Sequence, residues 1–298
     1  MPDRGRLLLP GAHDVTDRML ELSKRVVPSL RCDLDVAYGS DFFQKLDIYL
    51  PISTVPESPC PVLLFLHGGA WRHGFKEWEG FIAPQITDLP AVFVSGNYRL
   101  APESKWPAQL HDVADAVTWI YKNIRRYGGD PRRLFLSGHS AGGHLVTMLA
   151  LRPALLAERG IAEPIVRACC PMSAVFDVRL DRDPPSATRE KVTLNLLSSR
   201  EDDLDASPVT HTKGNQVPFY ISYGAQDTDD IKADAALMEL LLRKNSGIVD
   251  VDVFPGLTHF GTNEACKDRE FAWIQKVRSW MRRAPDIATV SNASGGAQ

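Results

Sequence analysis

Ser140 lies in the stretch GHSAGG (138–143), after the apolar run RLFL (133–136) and ahead of the apolar HLVTMLAL. The spacing is G-x-S-x-G, in which a serine sits on a sharp strand-to-helix turn with its hydroxyl facing out of the sheet. Gly138 and Gly142 suit a turn so tight that strand and helix backbones leave no room for a Cβ. A serine hydroxyl is a poor nucleophile near neutral pH and needs a base within hydrogen-bond reach. Two later residues supply the parts, each after a strand-like run: Asp227 follows FYISYGAQ and His259 follows VDVFPGLT. The imidazole of His259 takes the serine proton. Asp227 accepts the Nδ1 proton, fixes the tautomer and stabilises the imidazolium while a tetrahedral intermediate exists. Asp229 and Asp230 compete with Asp227 for that role.

The intermediate also needs donors aimed at its oxyanion. LLFLHGGAW (63–71) offers a Gly-rich loop directly after a third apolar run. We assign the hole to the backbone N–H groups of Gly69, Ala70 and Ala141. Trp71 and Phe176, with Trp78, are candidates for an aromatic substrate pocket. His139 is expected to serve the packing of the serine turn, and His144 lies one turn into the following helix. His13, His73, His111 and His211 are expected at the surface or at caps.

These residues require elements to hold them. Short apolar runs alternate with longer amphipathic ones, the pattern of βαβ units around a mainly parallel sheet. Eight strands are expected, at 32–39, 44–51, 62–68, 91–98, 133–138, 166–173, 218–224 and 249–254. The first two alternate as edge or hairpin strands do. Residues 106–128 and 233–247 have helical spacing, the former ending at Gly128-Gly129 as a C-cap. A terminal helix should pack Phe271, Trp273, Ile274 and Trp280 on the sheet. The fold class is therefore α/β, a central, mostly parallel eight-stranded sheet with helices on both faces and a partial cap. Residues 1–30 read as an N-terminal cap or arm, 31–283 as the main domain with a cap insertion at 178–216, and 284–298 as a disordered tail.

Bulk properties narrow the class. The chain has 298 residues, is 44% hydrophobic and carries a formal net charge of −3, enough for one large core and without a polybasic run. Nucleic-acid and membrane partners are not expected. The opening MPDRGRLLLPGAHD has an apolar run too short for a signal peptide, so a cytoplasmic location is expected. Five cysteines without C-x-x-C spacing read as buried thiols. No metal-ligand spacing and no dinucleotide fingerprint is present, so no metal and no cofactor is expected.

Several of these motifs together resemble the α/β-hydrolase superfamily, in the branch shared by hormone-sensitive-lipase-like esterases and kynurenine formamidases. The resemblance runs from about Asp33 to Trp280. HGGAW matches the H-G-G-x-W form typical of the formamidases, and LDVAYGSDFFQKLDIYLP (34–51), GHSAGGHL and SAVFDV (173–178) fit it also. NYRLAPESKWPAQLHD (97–112) is similar to the Y-R-L-A-P-E segment of the esterases. The resemblance implies a cofactor-free serine hydrolase acting on a carboxylic ester or an N-formyl or aryl amide. Ala70, where lipase-like esterases usually have a third glycine, leans toward the formamidase side. The rival from another class is a non-catalytic small-molecule receptor on the same scaffold, in which a triad member is usually lost. The expected partner is a small ester or amide, and a homodimer is left open.

Overall fold

The computed structural model describes residues 11–52, 59–182 and 186–283. In chain order the elements are α1 (Ala12–Val26), β1 (Cys32–Ala37), β2 (Lys45–Tyr49), β3 (Cys60–Leu66), α2 (Ala83–Thr87), β4 (Val92–Gly96), α3 (Ala108–Asn123), β5 (Gly129–His139), α4 (Ala141–Leu151) and α5 (Ala154–Ala157). There follow β6 (Val166–Met172), α6 (Ala187–Leu196), β7 (Phe219–Gln226), α7 (Asp229–Lys244), β8 (Val249–Thr258), α8 (His259–Glu264) and α9 (Ala272–Arg282). All eight expected strands form, in one sheet of order β1-β2-β4-β3-β5-β6-β7-β8. The β1–β2 and β2–β4 pairs are antiparallel, and the five others are parallel. The expected disordered tail, 284–298, lies outside the described residues, as do positions 1–10 of the expected arm.

Strand periodicity explains how the sheet is covered. β3 is buried along its whole length, as parallel strands with helices on both faces are. Its alternate residues feed two cores: Val62, Leu64 and Leu66 join the face covered by α3, α4 and α7, while Leu63 and Phe65 join the face covered by α9. On that second face Trp273 meets Phe65 edge-on with ring centroids 6.1 Å apart. Trp273, Ile274, Val277 and Met281 form the buried stripe of α9, and Phe271 and Trp280 pack beside it only partly buried. Trp273→Ala should cost about 3–5 kcal/mol of stability. Chemical denaturation checks this, and a loss below about 1 kcal/mol would mean that α9 does not anchor the second core.

β1 and β2 form the antiparallel hairpin that their alternation allowed, but of the two only β1 is an edge strand. β1 takes the edge, with four of its six residues exposed, and β2 is interior. Asp47 is consequently 2% exposed. It survives there because the Lys76 Nζ lies 2.8 Å from its Oδ1, with Asp35 and Glu77 at 2.9 and 3.0 Å on the same ammonium. A polar position in the alternation thus marks a buried ion cluster and not a solvent face.

Among the described residues no helix is long and apolar enough to cross a membrane. The described cysteines are free thiols, all buried except Cys32, which is half-buried.

Candidate active site

Ser140 is the residue between β5 and α4, with φ 52 and ψ −116, so it occupies the left-handed side of backbone space that non-glycine residues avoid. Its N–H donates to the Met172 carbonyl at the end of β6 and its carbonyl accepts from the His144 N–H, both at 3.0 Å. The flanking glycines are required by contact. A Cβ on Gly138 would lie 2.6 Å from the Gly142 backbone, and one on Gly142 would lie 2.2 Å from the Leu66 carbonyl oxygen. Helix α4 therefore starts against β3 as well as β5, which brings the serine beside the loop after β3.

β7 and β8 deliver the other two groups. Asp227 follows β7 directly. β8 runs on through Pro255 and Gly256 to Thr258, so His259 opens the short helix α8 rather than sitting in a loop. The Ser140 hydroxyl donates to His259 Nε2 at 3.0 Å, and His259 Nδ1–H donates to Asp227 Oδ1 at 2.9 Å. Asp227 is 4% exposed and His259 8%. Burial pushes the Asp227 carboxyl up, but hydrogen bonding and electrostatic attraction from His259, with Ser173 and the Thr228 N–H, outweigh it and hold the group below the ordinary range. The competitors are placed elsewhere. Asp229 is fully exposed against Lys232, and Asp230 accepts from Ser186 and pairs with Arg182.

His259 is also held from behind. The His259 carbonyl accepts from His139 Nε2–H at 2.8 Å and from the Thr262 hydroxyl at 2.8 Å, and Thr262 is joined to Ser173 of the β6 end at 3.0 Å. Burial, then the neighbouring His259, pushes His139 down to about 3, so it is neutral and can donate. His139 therefore does more than pack the turn, a role that its position alone did not reveal.

The loop after β3 carries two of the three proposed donors, Gly69 and Ala70, and α4 carries the third, Ala141. Gly69, Ala70 and Trp71 have φ of 115, 53 and 58. A Cβ on Gly69 would meet the His73 carbonyl oxygen at 2.3 Å, so glycine is needed there for conformation and for space. Ala141 is the first residue of α4, where an N–H has no acceptor within the helix. The loop is stiffened from below by His67, stacked on Tyr98 at 4.5 Å and pushed down to about 4 by burial.

Two recesses meet at Ser140, Ala70 and His259. One, of about 530 Å³, is bounded by α1 through Ala12, Thr16 and Met19 and by Trp78, Glu79, Phe260 and Asn263. The other, of about 860 Å³, is bounded by Trp71, Val175, Ile231 and the α6 residues Arg189 and Val192. Segments from the expected N-terminal arm and cap thus each wall one recess. Trp71 lines the second recess, its Nε1–H donating to His144 Nδ1 at 3.2 Å. That bond leaves Nε2 as the protonated nitrogen of His144, and it donates to the Ala206 carbonyl at 2.7 Å. Phe176 lines neither recess; it is 1% exposed in the first core, because the chain beyond β6 turns inward with the Phe176 N–H on Asp234. His73, expected at the surface or at a cap, is 6% exposed and lines the first recess, in a turn of the loop after β3 closed by its N–H on the Gly69 carbonyl. His13 is exposed, and His111 and His211 are half-buried.

An open sheet with this strand order, a serine on the β5–α4 turn and a histidine after the last strand is the α/β-hydrolase fold. Residues 46–236 match the BD-FAE family, and the chain belongs to that family, on the esterase branch of the superfamily. The chain is 33% identical over 205 residues to Esterase LipC of Mycobacterium tuberculosis, which covers 64% of this chain and 50% of that protein. It is 25% identical over 275 residues to the isoprenylcysteine alpha-carbonyl methylesterase ICME of Arabidopsis thaliana, covering 83% of this chain and 61% of that one. The chain spans about half the length of the first curated relatives it matches. Among solved structures, a hyperthermophilic esterase from the archaeon Pyrobaculum calidifontis superposes with a TM-score of 0.74 at 20% identity over 91% of both chains, a likeness that carries the fold.

Proposed function

We propose that the protein is a cofactor-free carboxylic ester hydrolase that forms an acyl-enzyme on Ser140. The observation that carries the reading is the continuous relay Asp227–His259–Ser140, at 2.9 and 3.0 Å, opening onto two recesses. Ser140 Oγ attacks the ester carbonyl as its proton passes to His259 Nε2. The N–H groups of Gly69, Ala70 and Ala141 take the developing oxyanion charge. The imidazolium then protonates the departing alkoxide, the alcohol leaves, and a water deprotonated by His259 releases the acid. The family membership and the esterase relatives support ester over amide. Free thiols suit a reducing compartment, and a cytoplasmic setting belongs to this proposal.

Hydrolysis of p-nitrophenyl acetate and butyrate tests the reading, and an absence of turnover on both, with no labelling of Ser140 by a phosphonate ester, would favour a receptor on this scaffold. N-formyl-kynurenine and aryl amides in the same panel test the amide side of the resemblance; the short esters are expected to be the better substrates. Chelators should leave the rates unchanged, because the acyl-enzyme route uses no metal. Loss of activity on chelation, restored by a divalent ion, would replace Ser140 chemistry with metal-activated water.

A further inference from the structure

The recess beside α1 contains an acid that the relay does not use. Glu79 is completely buried and forms part of that wall. Its partner is Asn263, whose Nδ2–H donates to the two carboxylate oxygens at 3.0 and 3.3 Å. Among the described residues no cationic side chain forms an ion pair with it. Asn263 is 1% exposed, lines the same recess, and its Oδ1 is buried without a hydrogen-bond partner. Two aromatic rings, Trp78 and Phe260, complete the wall.

Each of these features is incomplete in the same sense. A buried carboxylate calls for a counter-charge, a buried amide oxygen calls for a donor, and aromatic faces in a desolvated wall attract cations. One group satisfies all three: a protonated amine. We propose that the α1-side recess binds an ammonium group carried by the substrate, with Glu79 as counter-ion, Asn263 Oδ1 as acceptor and Trp78 and Phe260 as flanking rings. This rests on the ester-hydrolase reading and names the substrate class within it, small esters bearing an aliphatic amine. Burial pushes the Glu79 carboxyl up to about 8, against the opposing hydrogen bond from Asn263, as happens to an acid kept without a counter-charge. An entering ammonium supplies that charge and draws the acid into its ionised form.

The test compares esters that differ only in charge. Ethyl 4-(dimethylammonio)butyrate against ethyl 5-methylhexanoate places the amine in the acyl part; 3-(dimethylammonio)propyl acetate against 4-methylpentyl acetate places it in the alcohol part. Turnover of the neutral member reads the ester-hydrolase proposal by itself. The ratio of kcat/KM, cationic over neutral, reads the ammonium site, and Glu79→Gln should lower that ratio about 30-fold in one of the two pairs. A ratio equal in wild type and Glu79→Gln for both pairs would overturn the site while leaving the hydrolase intact. Calorimetric titration of the wild-type protein with butylammonium chloride and with 1-butanol provides a readout that needs neither turnover nor a folded variant. Tighter binding of the ammonium supports the site, and equal or absent binding of the two overturns it.

Discussion

Replacing Ser140 with alanine is expected to reduce kcat for short p-nitrophenyl esters by about 10⁶-fold. The size follows from the covalent role proposed for it: on that route no acyl-enzyme forms without Oγ, and what would remain is water attack assisted by the loop after β3. The fold should survive, because the Ser140 hydroxyl has one hydrogen bond, to His259, and alanine keeps the Cβ around which the β5–α4 turn is packed. Near-wild-type circular dichroism with abolished turnover is the expected pair of results. A variant that kept a tenth of wild-type activity would remove Ser140 from the mechanism.

Asp227→Asn should lower kcat by about 10⁴-fold, by analogy with the same change in serine proteases, whereas Asp229→Asn should change it little. Asn at 227 keeps the volume but offers an amide in place of a carboxylate, so the ring loses the acceptor that places its proton on Nδ1 and aims Nε2 at the serine. Asp229 is fully exposed and faces Lys232. Steady-state kinetics on both variants decides the matter, and a reversal of the two effects would assign the acid to the start of α7. The same carboxyl has a consequence for acid stability. Its folded-state pKa lies below the ordinary aspartate value, so its contribution to stability is complete above that ordinary value and is lost as pH falls through the lower, folded one.

The strands and the relay could be read from the sequence because each carries a local pattern. Parallel strands such as VLLFL and RLFL are continuous apolar runs between turn residues, and Ser140, Asp227 and His259 each follow one. Boundaries were harder where pairing overrides local preference. Pro255 and Gly256 should end a strand, yet β8 continues to Thr258 because Thr258 pairs with Gln226 across a register shift. Burial of isolated polar residues was harder still. Asp47, His73 and Glu79 look like surface positions one at a time. Their burial depends on Lys76, on the fold of the loop after β3 and on Asn263; Lys76 lies 29 positions from Asp47, and Asn263 lies 184 from Glu79. Phe176 shows the converse: an aromatic near the site by position was drawn into the core by one backbone bond to Asp234.

Ala70, Trp71, Ser140 and Ser173 are four of the six non-glycine residues at positive φ among those described, and all four follow the carboxyl ends of β3, β5 and β6. Such conformations cost on the order of 1–3 kcal/mol each, and here they are gathered just beyond the carboxyl ends of three neighbouring strands. Directed evolution for heat tolerance would accordingly find gains at the rim of the candidate site, where Ala70→Gly relaxes the chain. On the proposed mechanism those gains would be counterproductive, since the proposed donors at the rim would become mobile and rate would be traded for melting temperature.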